Sequence, residues 1–162
     1  MPSRSLRQRF RANSQTTLCI MCGDGAKGDV HRTMCGCTLF TPPGSALRFS
    51  HDDQDTDTFW RSTDAYVQVK SITNIQLIGH TNCGWAKLHG IGTPRNLEMI
   101  DQTAKAMVER YQFGVDTWIV DDGHELSPKV QWGIGSFVFG VQRAQVIALS
   151  SYGAVSSQQA AA

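Results

Sequence analysis

Nothing in this 162-residue chain is long and apolar enough to suggest a membrane span, and its charge is nearly balanced, with 15 lysines and arginines against 14 aspartates and glutamates. The longest apolar runs fall far short of the ~20 residues a helix needs to cross hydrocarbon, so no membrane partner is expected. A formal charge of +1 supplies no positive field to hold a phosphate backbone, and nucleic acid is not an expected partner either. The five cysteines, at 19, 22, 35, 37 and 83, are odd in number and follow no apolar secretory segment. That argues against a disulfide framework and for reduced thiols in a cytoplasmic protein. No internal repeat is visible.

Acids are missing from the first fifteen residues, which carry Arg4, Arg7, Arg9 and Arg11 among serines. Such a composition suits a solvated basic arm, and it is shared by organelle transit peptides, so import stays open. The expected organisation is a basic arm over 1–15, one domain over 16–150 and a flexible tail over 151–162. With 41% hydrophobic and 18% charged residues, a chain of this length can bury a core as a single domain.

Two short apolar runs end in residues that carry chemistry. Thr16-Thr17-Leu18-Cys19-Ile20-Met21 reads as a strand and breaks at Cys22-Gly23. Ile75-Gln76-Leu77-Ile78-Gly79 reads as another and leads into His80-Thr81-Asn82-Cys83-Gly84. An imidazole and a thiolate three residues further on can meet on one metal ion if the chain turns at Gly84. Adjacent parallel strands of an α/β sheet deliver their C-terminal ends to one crevice, so Cys22 is the best third donor. The expectation is a zinc ion held by Cys22, His80 and Cys83, with a fourth position open.

In these segments the chain resembles the β-class carbonic anhydrases. That family carries a Cys-x-Asp-x-Arg segment after its first strand and a His-x-x-Cys-Gly segment after a later one. Residues 80–84 match the second in full. Cys22-Gly23-Asp24-Gly25-Ala26 matches the first in part, with alanine where the family has arginine. The runs Ser136-Phe137-Val138-Phe139-Gly140-Val141 and Val146-Ile147-Ala148-Leu149 resemble the end of the family core, so the likeness covers about residues 15 to 150.

The resemblance implies an α/β fold with a mainly parallel central sheet and flanking helices, assembled as a homodimer or larger homo-oligomer. It implies reversible hydration of carbon dioxide to bicarbonate, with Asp24 accepting a hydrogen bond from the zinc-bound water. Lys27 is the nearest cation able to restrain Asp24 in place of the arginine, although a flexible ammonium is a looser hold than a guanidinium fork. Two alternatives stay open: hydrolysis of carbonyl sulfide or carbon disulfide on the same fold, and a non-catalytic assembly or regulatory protein. Val30-His31-Arg32-Thr33 resembles a family segment near the active site, and it reads equally well as ordinary strand or turn.

Other residues have plainer expectations. Cys19 reads as a small core residue. Cys35 and Cys37, with His31 and the Cys19/Cys22 pair, offer a rival closed zinc cluster. His89 is a candidate for a proton shuttle, while His51 and His124 read as surface or loop histidines. Asp121 and Asp122, beside Gly123, read as turn formers.

The spacing also gives helices. Residues 41–58 read as loop, with Asp57 or Thr58 capping a helix whose buried side holds Phe59, Trp60, Tyr66 and Val69, though 66–69 also alternates as a strand does. A longer helix runs from Pro94 to about Phe113, capped by Thr93 and stopped by Gly114, with Leu97, Ile100, Ala104, Met107 and Tyr111 as its apolar stripe. Residues 117–120 read as a short strand or extended segment and 121–129 as a loop.

Overall fold

A computed structural model describes residues 15–23, 37–123, 125–126, 132–139 and 142–152. Its first strand, β1 (Thr17–Met21), is buried at every position. That is the mark of a strand covered on both faces, and it explains why the sequence there is an apolar run without alternation. β2 (Thr38–Phe40) and β3 (Asn74–His80) flank β1, and β4 (Gly114–Asp121) lies beyond β3. These four strands are parallel, in the order β2-β1-β3-β4. β6 (Gln142–Tyr152) then joins β4 antiparallel, and β5 (Trp132–Phe139) closes the described sheet as the antiparallel partner of β6. The mainly parallel α/β architecture expected from the sequence is the one observed.

Among the described residues, four helices lie between the parallel strands: α1 (Leu47–Ser50), α2 (Thr56–Val69), α3 (Gly84–Leu88) and α4 (Thr93–Tyr111). The main core joins Leu18 and Ile20 of β1, Ile75 and Leu77 of β3, and Val115 and Ile119 of β4 to Ile100, Ala104 and Met107 of α4. These α4 residues belong to the three-to-four stripe read from the sequence, and Leu97 and Tyr111 pack at its edge. Arg110 and Tyr111 tie α4 to α2, the guanidinium donating to both Asp64 oxygens at 2.7 and 2.5 Å and the phenol to Oδ1 at 2.8 Å.

Several boundaries differ from expectation. The 41–58 loop contains a helical turn, α1, whose Leu47 and Phe49 are buried. Helix α2 starts at Thr56 with Asp55 as cap residue, ahead of Asp57 and Thr58. The Asp53 carboxylate accepts the Asp55 amide at 2.9 Å, setting the turn early. Residues 66–69 are helical, and Val69 is 76% exposed while Val67 packs against the core. At helical spacing, Val67 shares the face of Phe59, Thr63 and Tyr66, and Val69 does not.

Gly92, in extended conformation, is the cap residue of α4 and Thr93 its first residue. The helix ends at Gln112, a non-glycine in the left-handed region with φ 58°, so Gly114 begins β4 instead of stopping the helix. The strand read at 117–120 extends over the whole of β4, taking in Asp121. β6 runs two residues into the expected tail, and residues 153–162 lie outside the described residues, as does the basic arm up to residue 14. No helix among the described residues is long and apolar enough to cross a membrane.

Candidate metal centre

The parallel register places Met21 of β1 opposite Ile78 of β3, so the next residues of both strands emerge at the same sheet edge. Cys22 leaves β1 there, His80 ends β3, and Cys83 precedes α3 as its cap residue. One ligand atom from each of Cys22, His80 and Cys83 lies within 4.8 Å of the other two. All three residues are buried, at 4%, 2% and 2% exposure. This arrangement can hold a metal ion, and it is the trio expected from the sequence.

The loop before α1 lies beneath this edge. Pro42 starts a turn closed by the Ser45 amide on the Pro42 carbonyl at 2.8 Å. The Ser45 hydroxyl donates to the carbonyl of Ile78 at 2.8 Å, locking the loop to β3. This positions the Gly44 amide to donate to the Cys22 sulfur at 3.3 Å. Gly44 has φ 87°, and an added Cβ would lie 2.7 Å from the ring of Trp85, so both its conformation and its neighbour require glycine. The Arg48 guanidinium lies 4.8 Å from the Trp85 ring and 4.5 Å from that of Phe59.

Around the thiols the packing is apolar. Leu47, Ala86 and Met99 form a small buried cluster with Cys22 and Cys83, with Trp85 and Ile91 at its margin. His80 is fixed by polar contacts. Its Nδ1 lies 3.2 Å from Asp122 Oδ2, and its carbonyl accepts from the Asn96 side chain at 3.1 Å. Its Nε2 is buried with no hydrogen-bond partner. A buried imidazole nitrogen left without a partner is costly; beside two sulfurs it is the atom a metal ion would satisfy.

The electrostatics follow from this crowding. Burial pulls the His80 pKa down, but Asp122 and the Cys22 sulfur outweigh it, and the net shift is upward. The Cys83 thiol is pushed up by the Cys22 sulfur and by burial, against the pull of the Ala86 and Trp85 amides. Two sulfurs this close resist ionising together, and a divalent cation removes that resistance as it displaces their protons.

Among the remaining expectations, Cys19 is fully buried in β1, as a core residue should be. Cys37 is buried, and it is not among the grouped ligand atoms. Asp24, Lys27, His31, Arg32, Cys35 and His124 lie outside the described residues. His89 is exposed, stacks on Trp85 at 4.0 Å between ring centroids, and faces His51 at 5.1 Å. Asp121 and Asp122 do more than form a turn: Asp122 reaches His80, and Asp121 accepts the Thr81 hydroxyl at 3.0 Å and the Glu125 and Leu126 amides at 2.9 and 3.1 Å. Sequence reasoning missed the role of Asp122. The available signal was that parallel strands next to one another end together, here with His80 opposite Val120.

No protein-family model matches the chain, and no curated protein matches it in sequence. Its structure is similar to that of the β-carbonic anhydrase CafD of the filamentous fungus Aspergillus fumigatus. The wild-type structure aligns at 12% identity and a TM-score of 0.42, over 82% of this chain and 89% of that one. A cysteine-to-alanine mutant of the same enzyme aligns at 13% identity and a TM-score of 0.47, over 89% of this chain and 96% of that one.

Proposed function

We propose that this chain is a zinc enzyme that interconverts carbon dioxide and bicarbonate, with Cys22, His80 and Cys83 as the protein ligands. The observation that carries the reading is the convergence of two buried thiols on a buried imidazole whose Nε2 has no hydrogen-bond partner. Two sulfurs and one nitrogen are a donor set that suits zinc among the common divalent cations, and three protein ligands leave a tetrahedral ion one position. When bound, zinc supplies a Lewis acid that makes water nucleophilic near neutral pH.

The chain's own residues divide the remaining work. The Gly44 amide and Asp122 orient Cys22 and His80, so that the donors need little rearrangement. Leu47, Ala86 and Met99 give an uncharged, apolar substrate suitable surroundings. By the family resemblance, Asp24 would accept a hydrogen bond from the attacking water and orient it towards the substrate carbon; Lys27, the nearest cation in the sequence, would restrain Asp24 in place of the family's arginine. Bicarbonate leaves with the oxygen of that water, and one proton passes to buffer.

Ala26, in place of the family's arginine, favours a second reading in which the site holds zinc without turnover; hydrolysis of carbonyl sulfide or carbon disulfide is the catalytic alternative on the same fold. Stopped-flow carbon dioxide hydration by protein of verified zinc content, beside Cys83→Ser, separates these readings. The proposal predicts catalysed hydration that falls to the uncatalysed rate in the variant. Full zinc occupancy with no catalysed hydration overturns it. Hydrogen sulfide release from carbonyl sulfide or carbon disulfide then identifies the sulfur chemistry.

A further inference from the structure

The geometry points to Asp122 as a positioning residue that selects the metal-binding tautomer of His80 and holds the backbone between the two ligands of the 80–83 loop. This rests on the metal site proposed above and adds the device that prepares it.

A neutral imidazole has one protonated nitrogen and one lone pair, and the partner of one nitrogen decides the state of the other. Asp122 Oδ2, 3.2 Å from Nδ1, can only accept. In the neutral imidazole the proton therefore sits on Nδ1, and the buried, unpartnered Nε2 presents its lone pair. The second oxygen, Oδ1, accepts the amide of Asn82 at 2.8 Å. Asn82 lies in the chain between His80 and Cys83, so one carboxylate governs both the imidazole and the path to the thiol.

Asp122 is itself firmly placed, with its side chain 12% exposed. The Thr81 amide extends the β3–β4 ladder to the Val120 carbonyl at 3.0 Å. The Thr81 hydroxyl donates to Asp121 at 3.0 Å and accepts the Gly123 amide at 2.8 Å, bracketing Asp122 on both sides.

Asp122→Asn tests the tautomer directly. The Asn82 amide needs an acceptor, so the new side chain keeps its oxygen there and turns its NH2 group towards His80 Nδ1. Two donors cannot face one another, and the imidazole proton moves to Nε2, the atom the metal needs. The same substitution beside a catalytic histidine acts through the wrong tautomer in a serine protease.

The experiment uses the full chain. Zinc affinity of wild type and Asp122→Asn is measured by competition with a chromophoric chelator, and the tautomer of neutral His80 in reduced, zinc-free protein is read from imidazole nitrogen shifts by NMR on the alkaline side of its titration. The expected results are zinc binding ~10–100-fold weaker in the variant, an Nδ1-protonated imidazole in wild type and an Nε2-protonated one in the variant. A purely structural role would lower thermal stability without moving the tautomer. Equal zinc affinity in a folded variant overturns the inference, as does an Nε2-protonated His80 in wild type. Should the variant fail to fold, the wild-type tautomer decides alone. If wild type binds no zinc, the metal site and this inference fall together; if wild type binds zinc and the folded variant binds it equally well, this inference alone falls.

Discussion

The backbone amide of Gly44 donates to the sulfur of Cys22 at 3.3 Å, joining the turn before α1 to the end of β1. Trp85 closes over the same glycine. Gly44→Ala places a Cβ against that ring in a conformation that L residues rarely adopt. The expected outcome is a loss of about 1–3 kcal/mol in unfolding free energy, with weaker zinc retention as the amide leaves the sulfur. Denaturant unfolding and chelator competition check both effects. An unchanged zinc affinity would contradict the role given to this amide.

Gly79 makes room for α4. A Cβ there would collide with Cδ1 of Ile100, a side chain 1% exposed in the main core. Gly79→Ala is expected to cost about 1–3 kcal/mol by overpacking, and Ile100→Val alone about 0.5–1.5 kcal/mol. The double variant should lose less than the two singles together, because valine lacks the clashing methyl. Strict additivity in equilibrium unfolding would contradict this contact.

The Asp64–Arg110 pair predicts a pH dependence. The Arg110 guanidinium, helped by the Tyr111 hydroxyl, holds the Asp64 carboxyl below its usual range despite partial burial. A pKa lowered in the folded state stabilises the fold fully above the unfolded value of ~3.9, and that contribution is lost as pH falls through the folded value. The Asp64 side chain is 37% exposed, so solvent screening holds the gain to about 1 kcal/mol or less. Asp64→Asn should therefore be slightly less stable than wild type near neutrality, with the difference vanishing in acid. A difference that persisted undiminished in acid would refute this assignment.

The parts of the site legible in sequence were those with local punctuation. Cys22-Gly23 and Cys83-Gly84 mark two chain breaks after apolar runs, and parallel neighbours make the breaks converge. What stayed hidden depends on long-range placement. Nothing adjacent to Asp122 distinguishes it from a turn residue; its role comes from the pairing of β3 with β4, which sets it beside His80. The Gly44 amide carries no side-chain signal at all. Helix α1 was hidden for another reason: one turn is too short for periodicity, and Pro42, Pro43 and Gly44 read as loop, although Leu47 and Phe49 behind them are buried. Val69 shows the limit of counting apolar residues without fixing the helical phase, since Val67 takes the inner position.

Zinc K-edge X-ray absorption of the zinc-loaded protein tests the ligand set most directly. Cys22, His80 and Cys83 predict two sulfur scatterers at ~2.3 Å and nitrogen or oxygen scatterers at ~2.0–2.1 Å completing four-coordination, with one sulfur lost in Cys83→Ser. Three or four sulfurs, or a spectrum unchanged by Cys83→Ser, would contradict it and place the ion on a different set of cysteines.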